Sequence, residues 1–140
     1  MIDTLATLFT ALVTILALLV FFWTGLRVGA MRGKHDVKAP ATSGHPEFER
    51  AFRVQMNTLE QIVIFLPLLW LANGYFHMLP LLVGALGLVW IIGRIVYAQA
   101  YMADPSTRSL GFSISGLATL GLLILSIVGI VQAWMALGAN

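Results

Sequence analysis

The sequence predicts an all-α integral membrane protein, a bundle of four spanning helices, and three observations predict it. Of its 140 residues, 59% are hydrophobic and 10% charged, with a mean hydropathy of +0.91, whereas an ordinary soluble domain is about 25% charged. The apolar residues gather into four stretches, three of them near the roughly twenty residues needed to cross a hydrocarbon layer of about 30 Å and the second one shorter. The polar residues between them keep a helical period. In the stretch EFERAFRVQMNTLEQ, residues 47–61, Arg50, Arg53, Asn57, Glu60 and Gln61 share an arc of about 100° at about 100° per residue.

The chain reads as a single transmembrane domain, residues 1–140, with helices at about 4–26, 47–73, 77–102 and 111–137. Thr4 to Leu26 is 23 residues without a charge. A cleavable signal peptide is the competing reading of this stretch, but a basic leading segment and an A-x-A-like cleavage site are missing and the apolar run is too long. Residues 27–46 hold Gly, Pro, Ser, Thr and both lysines, which predicts a loop of about twenty residues. Helix 2 enters at Ser43-Gly44-His45-Pro46, with Glu47 and Glu49 facing the positive end of the helix dipole. Its strictly apolar part, Ile62 to Ala72, covers eleven residues, so the polar face must enter the membrane or its interface. Pro67 is tolerable there as a kink, and Asn73-Gly74 closes the helix. Helix 3 carries Arg94, Tyr97 and Tyr101 at i, i+3, i+7, again one face. Asp104-Pro105 breaks it ahead of the second loop, residues 103–110. Helix 4 carries Gly111, Ser115, Gly116, Thr119 and Gly121, small residues that permit close helix contact.

All eight basic residues lie within 27–53 and 94–108. With four spans, both polar loops then share one side and both termini the other, and the positive-inside rule makes the loop side cytoplasmic. Eight basic residues in so apolar a chain do not form a phosphate-tracking surface, so nucleic acid is not a partner. The cysteine count is zero, which rules out disulfides and protein thiolates. His35, His45 and His77 share no ligand spacing, so no metal site is expected.

Counted from the turns, Glu60 and Arg94 lie about 20–25 Å from the non-cytoplasmic face, at nearly one depth. Ionisable groups at membrane depth usually find one another, so a Glu60–Arg94 pair is expected. It either fixes helix register alone or also floors a polar ligand site. Arg50 and Arg53 could be interfacial arginines reaching lipid headgroups, and Tyr97 and Tyr101 interfacial aromatics. Asn57 and Glu60, deeper on the same face, argue otherwise, because an array of Arg, Asn and Glu suits a zwitterion: guanidinium for its carboxylate, carboxylate for its ammonium.

Two stretches resemble a known family. PEFERAFRVQMNTLEQ, Pro46 to Gln61, is similar to the helix 2 signature E-R-x-x-R-x-Q-x-N-x-x-E of the membrane-associated proteins in eicosanoid and glutathione metabolism (MAPEG), among them microsomal glutathione transferases and leukotriene C4 synthase. GRIVYAQAY followed by Arg108 resembles the family's helix 3 signature, and the match covers nearly the whole chain. The resemblance implies a homotrimer with glutathione as co-substrate, bound in a U-like shape at each subunit boundary on the cytoplasmic half. Carried over, Arg53, Asn57 and Glu60 hold the γ-glutamyl end, Gln55 the glycyl end with a neighbouring subunit, Tyr97 and Tyr101 line the pocket, and Arg108 stabilises the thiolate as the catalytic residue. Arg32 is a further candidate for the glycyl carboxylate. Gln61 stands where the leukotriene synthase has tyrosine, so one pocket hydroxyl of that branch is missing.

The implied activity is a membrane-bound glutathione transferase or peroxidase acting on a lipophilic electrophile or lipid hydroperoxide that arrives from the bilayer. A non-enzymatic lipid-binding scaffold of the same fold is the competing reading, and Arg108 separates them, since a scaffold needs no cation at the thiol position. A small transporter is disfavoured by the lack of inverted repeats and broken helix pairs.

Overall fold

The computed structural model describes residues 1–138. Four helices, α1 (Ile2–His35), α2 (Pro46–Tyr75), α3 (Pro80–Ala103) and α4 (Ser109–Gly138), run up and down, with a short 3-10 turn at Pro105–Thr107 before α4. All four are long and apolar enough to cross a membrane, and the protein is an integral membrane four-helix bundle. The helices α2 and α3 lie in the middle, each packed on both α1 and α4.

The α1 helix departs from expectation. It does not stop at Leu26 but runs on to His35, so the loop expected over 27–46 shrinks to residues 36–45. Charge marks where the hydrocarbon ends, not where a helix ends. Arg32, Lys34 and His35 in the last turn suit the negative end of the dipole. Termination comes at Asp36, which turns left-handed (φ 51°, ψ 37°) and donates its N–H to the Arg32 carbonyl, a role that Asp tolerates better than most residues. Arg32 then ties the short loop down, donating through Nη1 to Ala41 O (2.9 Å) and Val37 O (3.3 Å) while its guanidinium lies over the buried Phe48 ring, 4.6 Å from its centroid.

Pro46 opens α2 at the position where a missing N–H costs nothing, and His45 Nδ1 accepts from the Glu47 N–H at 3.2 Å. At the far end the helix continues two residues past Asn73, because the Asn73 side chain is spent on α1: its Oδ1 accepts from Thr10 Oγ1 (3.0 Å) and its Nδ2 donates to Thr7 Oγ1 (3.3 Å). The start of α3 is Pro80 rather than about residue 77, again proline at the first helical position.

The core runs the length of the bundle, with Phe65 stacked on Trp90 at 4.0 Å at mid-height and Val13, Leu69, Val83 and Leu122 fully buried around them. Helices gain little by burying apolar surface from lipid tails, so close approach of small residues has to hold them together. Gly93 and Gly111 provide it: a Cβ on Gly93 would stand 2.6 Å from the Ser115 backbone nitrogen, and one on Gly111 would collide with the Tyr97 backbone. This contact seats α4 directly against the α3 segment that carries Arg94, Tyr97 and Tyr101.

Candidate functional site

On α2 the buried stripe passes through Phe48, Ala51, Val54, Thr58 and Ile62, which leaves Arg53 and Glu60 exposed beside it and Asn57 at its edge. Across from them, Arg94 is fully buried on α3. Its Nη2 donates to Thr58 Oγ1 (2.8 Å) and Asn57 Oδ1 (3.0 Å), and its guanidinium lies over the Tyr97 ring, 4.2 Å from the centroid. A guanidinium only donates, so the Asn57 oxygen must face Arg94 and the Asn57 amide nitrogen must face away. That nitrogen donates to Glu60 Oε2 at 3.2 Å, and Glu60 Oε1 lies 3.9 Å from Arg53 Nη1.

The direct Glu60–Arg94 pair expected from helical counting is therefore not formed among the described residues. Counting gives height along the axis, not side-chain reach. Asn57, one turn nearer the loop end, and Thr58 intercept the guanidinium first. Arg94 keeps Nε and Nη1 without a partner, so the carboxylate is left half-free on the open side of the ladder. Thr58 has no charge or motif to single it out in sequence. Its only signal is that it follows Asn57, on the face turned toward α3.

Toward the loop end the ladder continues with Tyr97 and Tyr101, ring centroids 5.6 Å apart, and then Arg108, whose guanidinium is 5.8 Å from the Tyr101 ring. Arg108 Nη1 donates to Pro105 O at 2.7 Å, so the 3-10 turn sets the direction of its side chain. That turn is capped by Asp104, whose carboxylate accepts from the Ser106 N–H at 2.9 Å. The same bond holds the Asp104 pKa below the ordinary 3.8.

Arg53, Asn57, Glu60, Arg94, Tyr97, Tyr101 and Arg108 thus form one run of contacts across α2, α3 and the α3–α4 turn, in which Arg53, Glu60 and Arg108 are exposed, Tyr101 is partly so, and Asn57, Arg94 and Tyr97 are buried within the bundle. Three other polar residues leave it. Arg50 donates to the carbonyls of Met102 and Ala103, each at 3.3 Å, and closes the C-terminus of α3. Arg32 is engaged by its own loop. Gln55 sits half-buried on the opposite side of α2, where its amide comes to 3.2 Å from the position of a Cβ on Gly25, and with Leu18, Phe22 and Leu26 it lines an apolar groove along α1. No grouping of His, Asp or Glu that could hold a metal ion occurs among the described residues.

Chemically, the open side offers a cation and an anion side by side at one end, the partly exposed Tyr101 ring in the middle with Tyr97 buried behind it, and the exposed cation of Arg108 at the other end. The model of the MAPEG family matches residues 10–128. Human microsomal glutathione S-transferase 2 is 40% identical over 126 residues, 89% of this chain and 84% of that protein. An uncharacterized Synechocystis protein is 41% identical over 123 residues, 88% of each chain. Leukotriene C4 synthase of Cavia porcellus is 34% identical over 130 residues, 93% of this chain and 85% of the synthase. The helix order, the polar face crossing from α2 to α3 and these matches over most of the chain agree, and the chain belongs to the MAPEG family.

Proposed function

We propose that the protein is a membrane-bound glutathione transferase, also competent as a glutathione peroxidase toward lipid hydroperoxides, and that glutathione lies along the Arg53-to-Arg108 face. The observation that carries this reading is the Arg53–Glu60 pair, which is both charged and open. At 3.9 Å and with both side chains more than half exposed, the two groups are not spent on each other. A ligand carrying a carboxylate beside an ammonium satisfies both, and the γ-glutamyl end of glutathione is such a group. The name of the human relative, a glutathione S-transferase, supports the same ligand.

Asn57, oriented by Arg94, presents its amide N–H₂ between them. Tyr97 and Tyr101 line the peptide, and the thiol reaches Arg108. Gln55 on the opposite side of α2 serves the glycyl end of a neighbouring protomer's ligand, which makes the active assembly a homotrimer. Arg32, held by Ala41 and Val37, shapes the loop above that end rather than serving as its main ligand. The loop side faces the cytoplasm, in keeping with its basic residues.

The thiolate is the nucleophile. In transfer, its sulfur forms a bond to an electrophilic carbon, whose leaving group or π electrons take the electron pair, and the thiol proton goes to water. In peroxide reduction, sulfur attacks the distal oxygen, the lipid alcohol leaves, and a second glutathione completes the disulfide with release of water.

Calorimetric titration of detergent-purified protein with glutathione, followed by assays against aryl halides, enals and lipid hydroperoxides, tests the reading. The expected result is saturable binding with a thiolate ultraviolet band at pH 7 and turnover of at least one class. A protein that binds no glutathione overturns it.

A further inference from the structure

On the other side of α3 lies a second arrangement of charge and hydrocarbon. Ile95 and Gln99 stand about 160° around the helix from Tyr97, facing α1. Between α1 and α3 runs an apolar groove of about 320 Å³ lined by Leu16, Leu19, Val20, Trp23, Ile91 and Ile95. One turn beyond Trp23 toward the loop end it meets Arg27, whose guanidinium lies 5.5 Å from the Trp23 ring. Arg27 in turn lines an open polar cavity of about 560 Å³ with Lys34, Glu47, Arg50, Gln99 and Met102. Trp23 to Arg27 joins the two spaces into one seam, apolar inside the membrane and cationic at its edge.

The charges in the cavity do not balance. Its one carboxylate, Glu47, is taken by Lys34 at 2.6 Å and His35 at 2.9 Å. Arg50 has Nη1 on backbone carbonyls. The Arg27 guanidinium donates no hydrogen bond among the described residues, and its Nε is shut off from solvent without a partner. A buried donor in that state costs about 1–3 kcal/mol unless something completes it. An arginine that only snorkelled to bulk headgroups would not have its Nε buried against the mouth of an acyl-sized groove.

We propose that this seam binds an anionic phospholipid of the bilayer, with the phosphate on Arg27 and Lys34 and one acyl chain in the groove beneath Trp23. Basic pockets between membrane helices are suited to anionic headgroups, and guanidinium is the better phosphate donor. From Leu16 to Arg27 is about 16 Å along α1, room for most of one acyl chain. The site shares no residue with the Arg53-to-Arg108 face, so it stands whether or not glutathione binds there.

Native mass spectrometry of the detergent-purified protein, with phosphatidylglycerol and phosphatidylcholine of identical acyl chains, decides it. The wild type should retain phosphatidylglycerol at least about fivefold over phosphatidylcholine, the ratio expected from Arg27 alone, since Lys34 is largely neutralised by Glu47. Arg27→Gln should remove that preference and leave glutathione titration unchanged. Ile95→Trp, which fills the groove and leaves every charge in place, should lower retention of both lipids. Equal retention of the two lipids by the wild type, or an intact preference in Arg27→Gln, overturns the proposal. Displacement of the phospholipid by glycerol phosphate at equal concentration overturns the acyl half of it.

Discussion

Arg94 is the least exposed charge in the molecule, yet it meets no carboxylate directly. Its two hydrogen bonds go to neutral oxygens, on Asn57 and Thr58, and its effect on the open face passes through the orientation of one amide. Arg94 already carries Nε and Nη1 buried without a partner, a cost that an apolar side chain of similar size removes, so Arg94→Met separates folding from function. It should leave the melting temperature nearly unchanged and raise the glutathione Kd about tenfold, the worth of one hydrogen bond near 1.4 kcal/mol. An unaltered Kd by calorimetry would show that Asn57 is oriented by something else. Glu60→Gln tests the neighbouring link. With its carboxylate more than half exposed, neutralising it should weaken glutathione binding through the lost ammonium contact while the folded state is little affected. Binding that survives intact in a well-folded Glu60→Gln protein removes Glu60 from the ligand site.

At the scale of the element, the turn from Asp104 to Arg108 works as one unit. Asp104 caps it, Pro105 supplies the carbonyl that holds Arg108, and Arg108 stands over Tyr101. A thiol with an ordinary pKa near 8.5 is only a few per cent thiolate at pH 7, and an arginine within about 4–6 Å lowers that pKa by roughly 1–3 units. Arg108→Ala should therefore hold the Kd within a few-fold, abolish the thiolate band at pH 7 and move the rising limb of the rate profile up toward pH 8.5. The Asp104 carboxyl cannot produce such a limb. Its folded pKa is depressed, so what it contributes is fully present above 3.8 and lost only as the pH falls through a still lower value. Asp104→Ala should lower turnover a few-fold across pH 5–9 by loosening the turn, without shifting the limb, whereas Asp104→Asn keeps an acceptor for Ser106 and most of the rate. A shifted limb in Asp104→Ala would mean that the carboxylate itself acts on the thiol.

Elements were legible in this chain where apolar length or proline set them. The ends of α2 and the start of α3 fall within about three residues of expectation, and at both starts a proline, Pro46 or Pro80, takes the first helical position, where its missing N–H costs nothing. The end of α1 was illegible because Arg27 to His35 carries the composition of a loop in the geometry of a helix that has left the membrane. The candidate site was legible only as two helix faces, since period alone puts Arg53, Asn57 and Glu60 on one side of α2, with Arg50 and Gln61, and Arg94, Tyr97 and Tyr101 on one side of α3. Its wiring was not. Whether Arg94 reaches Glu60 or stops at Asn57 depends on side-chain length across a helix interface, and whether Arg50 joins the face or caps α3 depends on where α3 ends. Neither quantity is written in spacing.

For the molecule as a whole, the single bundle leaves an electrostatic debt. Arg53 and Glu60 are more than half exposed, and Glu60 lies about 20 Å from the Asn73 end, well inside the hydrocarbon. A charged side chain near the centre of a spanning helix costs about 2.5–3.5 kcal/mol on insertion scales, so two that are open to lipid would cost several. A second protomer can cover them, and the groove that Gln55 lines along α1 with Leu18, Phe22 and Leu26 gives that protomer an apolar surface to occupy. If the site is completed by Glu60 of one chain and Gln55 of the next around a closed ring, Glu60→Gln and Gln55→Leu lie on opposite sides of each interface. Each variant alone should bind glutathione weakly. Co-expressed in equal amounts and purified as mixed trimers, they should recover wild-type affinity at about one quarter of the interfaces, those where an intact Glu60 happens to face an intact Gln55. Native mass spectrometry of the same sample should show trimers of all compositions. A monomer that binds glutathione fully, or mixed trimers with no recovered sites, would place the whole ligand within one chain.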